Sequence, residues 1–247
     1  MANWNDPRPT GTGFGASPSL SGVQGRSEVF DAGLRRHMLS IYNYMASGVL
    51  LSGIVALLFA TSGAALAVFG TPLRWVVALA PLAFVMIMSF GVNRLSTFAM
   101  QAMFWGFSVA MGLSLSAIFF IYTGPSIAVT FFATAGAFAG LSLFGYTTKK
   151  DLSGFGSFLI MGVFGLLIAS LINMFLQSPG LAWAVSFLGV LIFAGLTAYD
   201  TQKLKEQYAY VAGTDFAGKA VVLGALNLYL DFINMFQFLL QFMGDRR

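Results

Sequence analysis

Asp231 is an acidic residue in the middle of an apolar run, Ala220 to Met243, that is otherwise long enough to cross a bilayer. On a helix, Asn227, Asp231 and Asn234 fall at i, i+4 and i+7 and share one face, with Gln241 close to the same stripe. Leu223, Leu230, Phe232, Met235 and Phe236 make the opposite face. A carboxylate in hydrocarbon costs roughly 2.5–3.5 kcal/mol on insertion scales, so it turns toward other helices, water or a partner and marks a functional site by default. A second acid, Asp200, ends another apolar run in Leu196-Thr197-Ala198-Tyr199-Asp200-Thr201-Gln202-Lys203-Leu204. Taken alone, Asp200 reads as an interfacial carboxylate near Lys203 and Lys205. Asn173, polar and mid-run, reads as an interhelical hydrogen bond.

Two acids in one protein interior point to sharper chemistry than either alone. Burial penalises a charged carboxyl, and a second carboxylate nearby penalises it again. Such a pair titrates as a unit and holds one proton between its members over an intermediate pH range. Losing that proton sets like charges against each other, which drives the helices apart or invites a cation between them. Carboxylates with amide and backbone oxygens are also hard-cation chemistry, suited to calcium. Asp200 and Asp231 are therefore candidates for both a proton-sensing gate and a transient Ca2+ site, with Asn227, Asn234 and Gln241 lining it.

The composition decides what surrounds these acids. Hydrophobic residues make up 57% of the chain and charged residues only 9%. A soluble domain carries roughly 25% charged residues, so the chain is polytopic in a membrane. The net charge of +4 does not point to nucleic acid, because the basic residues lie between apolar segments rather than on one face. There is no cysteine, which excludes disulfides and thiol catalysis, and His37 is the only histidine. Its place beside Arg35 and Arg36 reads as a membrane-edge position.

Met1 to Ser27 is rich in Gly, Ser, Pro and Asn and lacks the apolar core of a signal peptide. Residues 1–30 are expected to form a disordered cytosolic tail and residues 31–247 a single transmembrane domain. Seven apolar runs follow: Leu39 to Ala60, Trp75 to Val92, Phe98 to Tyr122, Ser126 to Tyr146, Ser157 to Leu176, Leu181 to Tyr199, and the run that holds Asp231. Each is near the roughly 20 residues that span a bilayer. Nothing alternates like barrel strands, so the fold class is all-α, with seven transmembrane helices. The small residues of Gly136-Ala137-Phe138-Ala139-Gly140 are expected to let two helices approach closely.

Arg35 and Arg36, Arg94, Lys149 and Lys150, and then Lys203, Lys205 and Lys219 fall in alternate links. The links Thr61 to Thr71, Thr123 to Pro125 and Gln177 to Gly180 carry no Lys or Arg, and only Arg74, at the very start of the second helix, blurs this. This pattern puts the N-terminus and the basic links in the cytosol. A seventh helix that spans fully would place Asp245-Arg246-Arg247 outside, and one that turns back would keep them inside; both remain open. Depth sets a further condition. At roughly 1.5 Å per helical residue, Asp200 lies about 8 Å from Lys205 and Asp231 about 18 Å from Lys219. If both lysines mark one interface, the acids meet only if the sixth helix runs on past it or the seventh starts beyond Lys219.

Phe193-Ala194-Gly195-Leu196-Thr197-Ala198-Tyr199-Asp200-Thr201-Gln202-Lys203-Leu204, with Asn227-Leu228-Tyr229-Leu230-Asp231-Phe232-Ile233-Asn234-Met235-Phe236, resembles the closing half of the Bax inhibitor-1 family. Gly145-Tyr146-Thr147-Thr148-Lys149-Lys150-Asp151-Leu152-Ser153 resembles that family's link after its fourth helix, and the basic entry Arg36-His37-Met38-Leu39 fits as well. The resemblance covers everything after the tail, and the Ala/Gly-rich, cysteine-free chain looks like a bacterial member, placed in the inner membrane. It implies seven helices with the last enclosed by the other six, and a pH-dependent calcium leak. The family's sensor pair of aspartates matches Asp200 and Asp231. An arginine that latches this pair at the end of helix two has its nearest match in Arg94. No cofactor is implied; calcium and protons are the species handled, with the lipid bilayer as surroundings.

The other class of function carried forward is a membrane regulatory protein that binds other membrane proteins, such as a protease or stress factor, without transport. An enzyme is not expected. Aspartyl intramembrane proteases place Gly-any-Gly-Asp at their second aspartate, whereas Leu228-Tyr229-Leu230 precedes Asp231. A rhomboid-type serine site needs a helical histidine, and His37 is misplaced for it.

Overall fold

A computed structural model of the chain describes residues 20–247. The described helices are α1 (Leu20–Thr61), α2 (Ala64–Phe69), α3 (Leu73–Gly91), α4 (Thr97–Leu115), α5 (Ile118–Ile121), α6 (Gly124–Thr147), α7 (Ser153–Leu176), α8 (Pro179–Val211) and α9 (Ala217–Met243). Among the described residues, seven segments are long and apolar enough to cross a membrane, with α4 and α5 together forming the third of them. The seven-helix expectation is met, and two short helices, α2 and α5, add to it. The first helix reaches back to Leu20, inside the segment expected as a tail; residues 1–19 lie outside the described residues.

Helix ends follow local chemistry. Ser96 caps α4, its side chain accepting from Ala99 N at 3.1 Å, and Ser178 caps α8 by accepting from Leu181 N at 3.3 Å. Pro179 occupies the first turn of α8, where its missing N–H costs nothing. Asp151 Oδ1 accepts from Ser153 N at 2.8 Å where α7 begins, and the hydrogen bonds from Ser153 hold its carboxyl below the usual carboxylate range. Asn173 does not bond across to another helix as expected. Its Oδ1 accepts from Ser178 N at 3.0 Å and closes the turn between α7 and α8. The turn needs an acceptor there because Gln177 ends α7 in the left-handed region, at φ 50°.

The least apolar of the seven spanning helices, α9, is also the most enclosed. It packs chiefly on α8, α1, α6 and α4, while α3 leans on α4 and α7 leans on α8 to complete the bundle. Protein neighbours thus supply what hydrocarbon would not tolerate around Asp231. The close helix approach lies elsewhere than expected. Gly136 and Gly140 have nothing within 4 Å of where a Cβ would stand and are exposed, because Phe138 takes the inward position of that turn. Gly145 is the true contact: a Cβ there would collide with the Ala198 carbonyl oxygen, so α6 and α8 touch backbone to backbone.

The ends of the bundle sort into two faces. On the first, the basic face, Lys219 Nζ donates to Val92 O at 3.0 Å, joining the start of α9 to the α3–α4 link. On the opposite face, Thr123 N donates to Asp245 O at 3.0 Å and Arg247 N to Ile121 O at 2.9 Å. The seventh span therefore crosses fully, and the C-terminal residues pack on the uncharged α5–α6 link. His37, expected at a membrane edge, is buried beside Tyr208 with ring centroids 5.2 Å apart. It is covered because α8 runs past Lys205 to Val211 and lays Tyr208 along α1 at Phe30, Gly33 and His37.

Candidate functional site

That overrun of α8 settles the depth condition. At 33 residues, α8 is about 50 Å long against a hydrocarbon thickness of about 30 Å, and it runs on about 16 Å past Asp200, so the helix does not end at that acid. The Asp200 and Asp231 side chains lie close enough across the contact between α8 and α9 for each to act on the other. Asp231 is 5% exposed, and its Oδ2 receives no hydrogen bond from any amide, hydroxyl or ammonium among the described residues. Asp200 is half-buried and feels the Lys203 ammonium from its own helix. Two ionised carboxylates are acceptors only, so a direct bond between them would need a proton.

The rest of Tyr199-Asp200-Thr201-Gln202 holds Asp200 in place. Tyr199 packs its ring against Gly156 of α7. Thr201 Oγ1 donates to Ser142 Oγ of α6 at 3.4 Å. Gln202 grips the α6–α7 link with both ends of its amide: Oε1 accepts from Leu152 N and Nε2 donates to Lys150 O, each at 2.8 Å. Every residue of the motif is thus committed to a different neighbour, and Asp200 is the one that faces α9. Lys205 Nζ adds a further tie, donating to Tyr146 O at 2.8 Å.

On α9, Tyr229 fixes the rotation. It is fully buried, edge-on to Phe107 at 4.9 Å and Phe104 at 6.3 Å between centroids. Its hydroxyl lies 2.6 Å from Ser52 Oγ, and Ser52 Oγ lies 2.6 Å from Ser108 O. The step of two positions from Tyr229 to Asp231 turns the helix by about 200°, so anchoring Tyr229 on α1 and α4 aims Asp231 at α8. Ser52 did not stand out in the sequence, and Gln202 stood there only as the last residue of the Tyr-Asp-Thr-Gln motif, with no partner assigned. A lone serine in an apolar run and a glutamine beside basic residues carry no signal until their partners are known.

The remaining expected site residues divide. Asn234 and Gln241, joined by Gln237, line a cavity of about 240 Å3 that opens beside Tyr122 on the face opposite the basic links. Asn227 is exposed, one turn from Asp231 toward the basic face. Arg94 does not reach the pair. It is exposed in the α3–α4 link, and among the described residues no salt bridge joins it to either aspartate. The link turns there through bonds from Arg94 N and Leu95 N to Gly91 O, both 2.9 Å, which hold Arg94 at the bundle's end. No group of three or more His, Asp or Glu stands together among the described residues. Two carboxylates fall short of the six to eight oxygens that calcium takes.

Residues 34–247 match the model of the family described as inhibitor of apoptosis-promoting Bax1. The chain belongs to the Bax inhibitor-1 family. The resemblance read from the two aspartate motifs therefore holds across the whole transmembrane domain. The chain is 51% identical to a protein of Caulobacter vibrioides over 88% of this chain and 91% of the relative. It is 46% identical to the inner membrane protein YbhL of Escherichia coli, over 87% of this chain and 94% of that protein. A Rickettsia prowazekii protein is 44% identical over 90% and 94%. This Bax inhibitor-1 protein is an integral membrane protein with bacterial relatives, and lipid surrounds its outer face.

Proposed function

We propose that this protein is a pH-sensitive leak path for calcium or a similar cation, gated by the Asp200–Asp231 pair. One observation carries the reading: Asp200 and Asp231 neighbour each other on α8 and α9, the helix pair with the most extensive packing, and Asp231 Oδ2 has no donor among the described residues. The polar stripe supports it, since Asn234, Gln237 and Gln241 lead from the far-face cavity toward Asp231, and Asn227 continues toward the basic face.

The sign of the gate follows from proton counting. The paired conformation holds a proton that the separated one does not need, so low pH favours pairing and closure. As pH rises through the pair's shared titration the proton leaves and two like charges face each other. At 4 Å and an effective dielectric of about 20, that repulsion is about 4 kcal/mol, enough to move a two-state gate across most of its range. The separated carboxylates then offer oxygens to a passing cation on the way to the basic face, which is read as cytosolic in an inner membrane.

The test is calcium entry into proteoliposomes holding the pure protein and an internal indicator, measured across pH. Flux that rises with pH, in protein without companions, supports the leak. No flux at any pH, with a stoichiometric membrane partner that co-purifies, would favour the regulatory reading.

A further inference from the structure

Helices α1 and α6 are not one of the bundle's principal pairs, and an apolar groove of about 740 Å3 runs between them. Met38, Met45 and Val49 of α1 face Ala135 and Ala139 of α6 across it, and Phe232 of α9 reaches its floor. Its rim includes Leu39, Leu50 and Leu143, which are 52%, 63% and 64% exposed, so the groove opens sideways into the bilayer. Arg35 stands at its mouth on the basic face, exposed, beside Tyr146. The Lys205 ammonium lies 5.4 Å above the Tyr146 ring, so two cations flank this end.

We propose that the groove holds one acyl chain of an anionic phospholipid, with its phosphate drawn to Arg35 and Lys205. Length argues for a chain. From Arg35 to Leu50 the groove follows about 22 Å of α1. The length exceeds the roughly 15 Å of one leaflet's hydrocarbon, which suits a chain drawn along the protein from headgroup level to just past the midplane. Charge argues for an anionic headgroup, since an exposed arginine and a lysine flank an otherwise apolar slot at headgroup depth. Phe232, the neighbour of Asp231, is the groove's contact with α9, so an occupant touches α9 beside the acid.

The experiment uses the full chain in detergent, titrated with phosphatidylglycerol or phosphatidylcholine and followed by its thermal midpoint, and a phosphatidylglycerol with a photoreactive acyl chain in vesicles. Expected are a larger rise with phosphatidylglycerol and crosslinks to groove-lining residues of α1 and α6. Arg35→Gln, at an exposed position that leaves the core intact, should weaken the phosphatidylglycerol effect about fivefold and leave the phosphatidylcholine effect unchanged. Ala139→Phe, also exposed, should lose both effects and the crosslinks by filling the slot. Crosslinks spread evenly over the lipid-facing sides of α3 and α7, or full lipid response in Ala139→Phe, would overturn the proposal. So would copies of the chain crosslinked to each other through the groove.

Discussion

Replacing Ser52 by alanine should cost more than replacing Tyr229 by phenylalanine, and the double variant should cost no more than Ser52→Ala alone. Both side chains are fully buried, and the two hydroxyls lie 2.6 Å apart. In the native chain Tyr229 donates to Ser52, which donates onward to Ser108 O at 2.6 Å. Tyr229→Phe removes one bond and leaves Ser52 its acceptor, a loss of about 0.6 kcal/mol and at most about 1.7 for an interhelical bond in a membrane protein. Ser52→Ala removes the same bond and strands a buried phenol without an acceptor, which costs about 1–3 kcal/mol. Ser108 O needs no replacement, because it remains in the α4 ladder. In the double variant there is no stranded phenol, so the coupling between the two changes should be about 1 kcal/mol, above the 0.3–0.5 kcal/mol scatter of independent sites. Equilibrium unfolding in detergent micelles, read by circular dichroism, gives the four free energies. A double variant whose loss equals the sum of the two singles would show that these hydroxyls do not act together, and the account of how α9 is aimed would fall with it.

Three other outcomes follow from the packing around Asp200. Gln202→Ala removes two bonds of 2.8 Å to the α6–α7 link and should destabilise by about 1–2 kcal/mol; limited trypsin digestion after Lys149 and Lys150 should speed up, and an unchanged rate would mean that the amide does not hold the link. Gly145→Val drives a side chain into the Ala198 carbonyl and should cost about 1–3 kcal/mol while shifting the pH midpoint of calcium flux, whereas Gly140→Val, with open space around it, should leave both unchanged. Because the chain has no cysteine, one placed at position 150 and one at position 247 should react with an impermeant thiol reagent from opposite sides of the membrane. Labelling from the same side would contradict a fully spanning α9.

Much of the architecture was legible because hydropathy is a local property. Each apolar run near 20 residues became a spanning helix, and the alternation of basic and uncharged links matches the two faces of the bundle. The ends were less legible. The run ending at Tyr199 stops where hydropathy stops, yet α8 continues to Val211 because Gln202, Leu204 and Val211 are buried against protein, not lipid. The helix spacing that groups Asp231 with Asn234 was readable. What holds the site was not: Gln202 meets a link about 50 residues away, and Ser52 meets Tyr229 across 177 residues. The Gly136–Gly140 spacing misled because small residues permit close approach without requiring it, and Arg94 lies at the bundle's end because its link turns there.

The central claim is that one proton joins α8 to α9, and spin–spin distance measurement addresses it directly. Labels on cysteines placed at the exposed positions Lys203 and Asn227, in lipid nanodiscs, should report one distance at low pH and a longer one above the pair's titration. In Asp231→Asn, which cannot build the second negative charge, the short distance should persist at every pH. A wild-type distance that stays fixed while calcium flux still changes with pH would mean that the gate lies elsewhere.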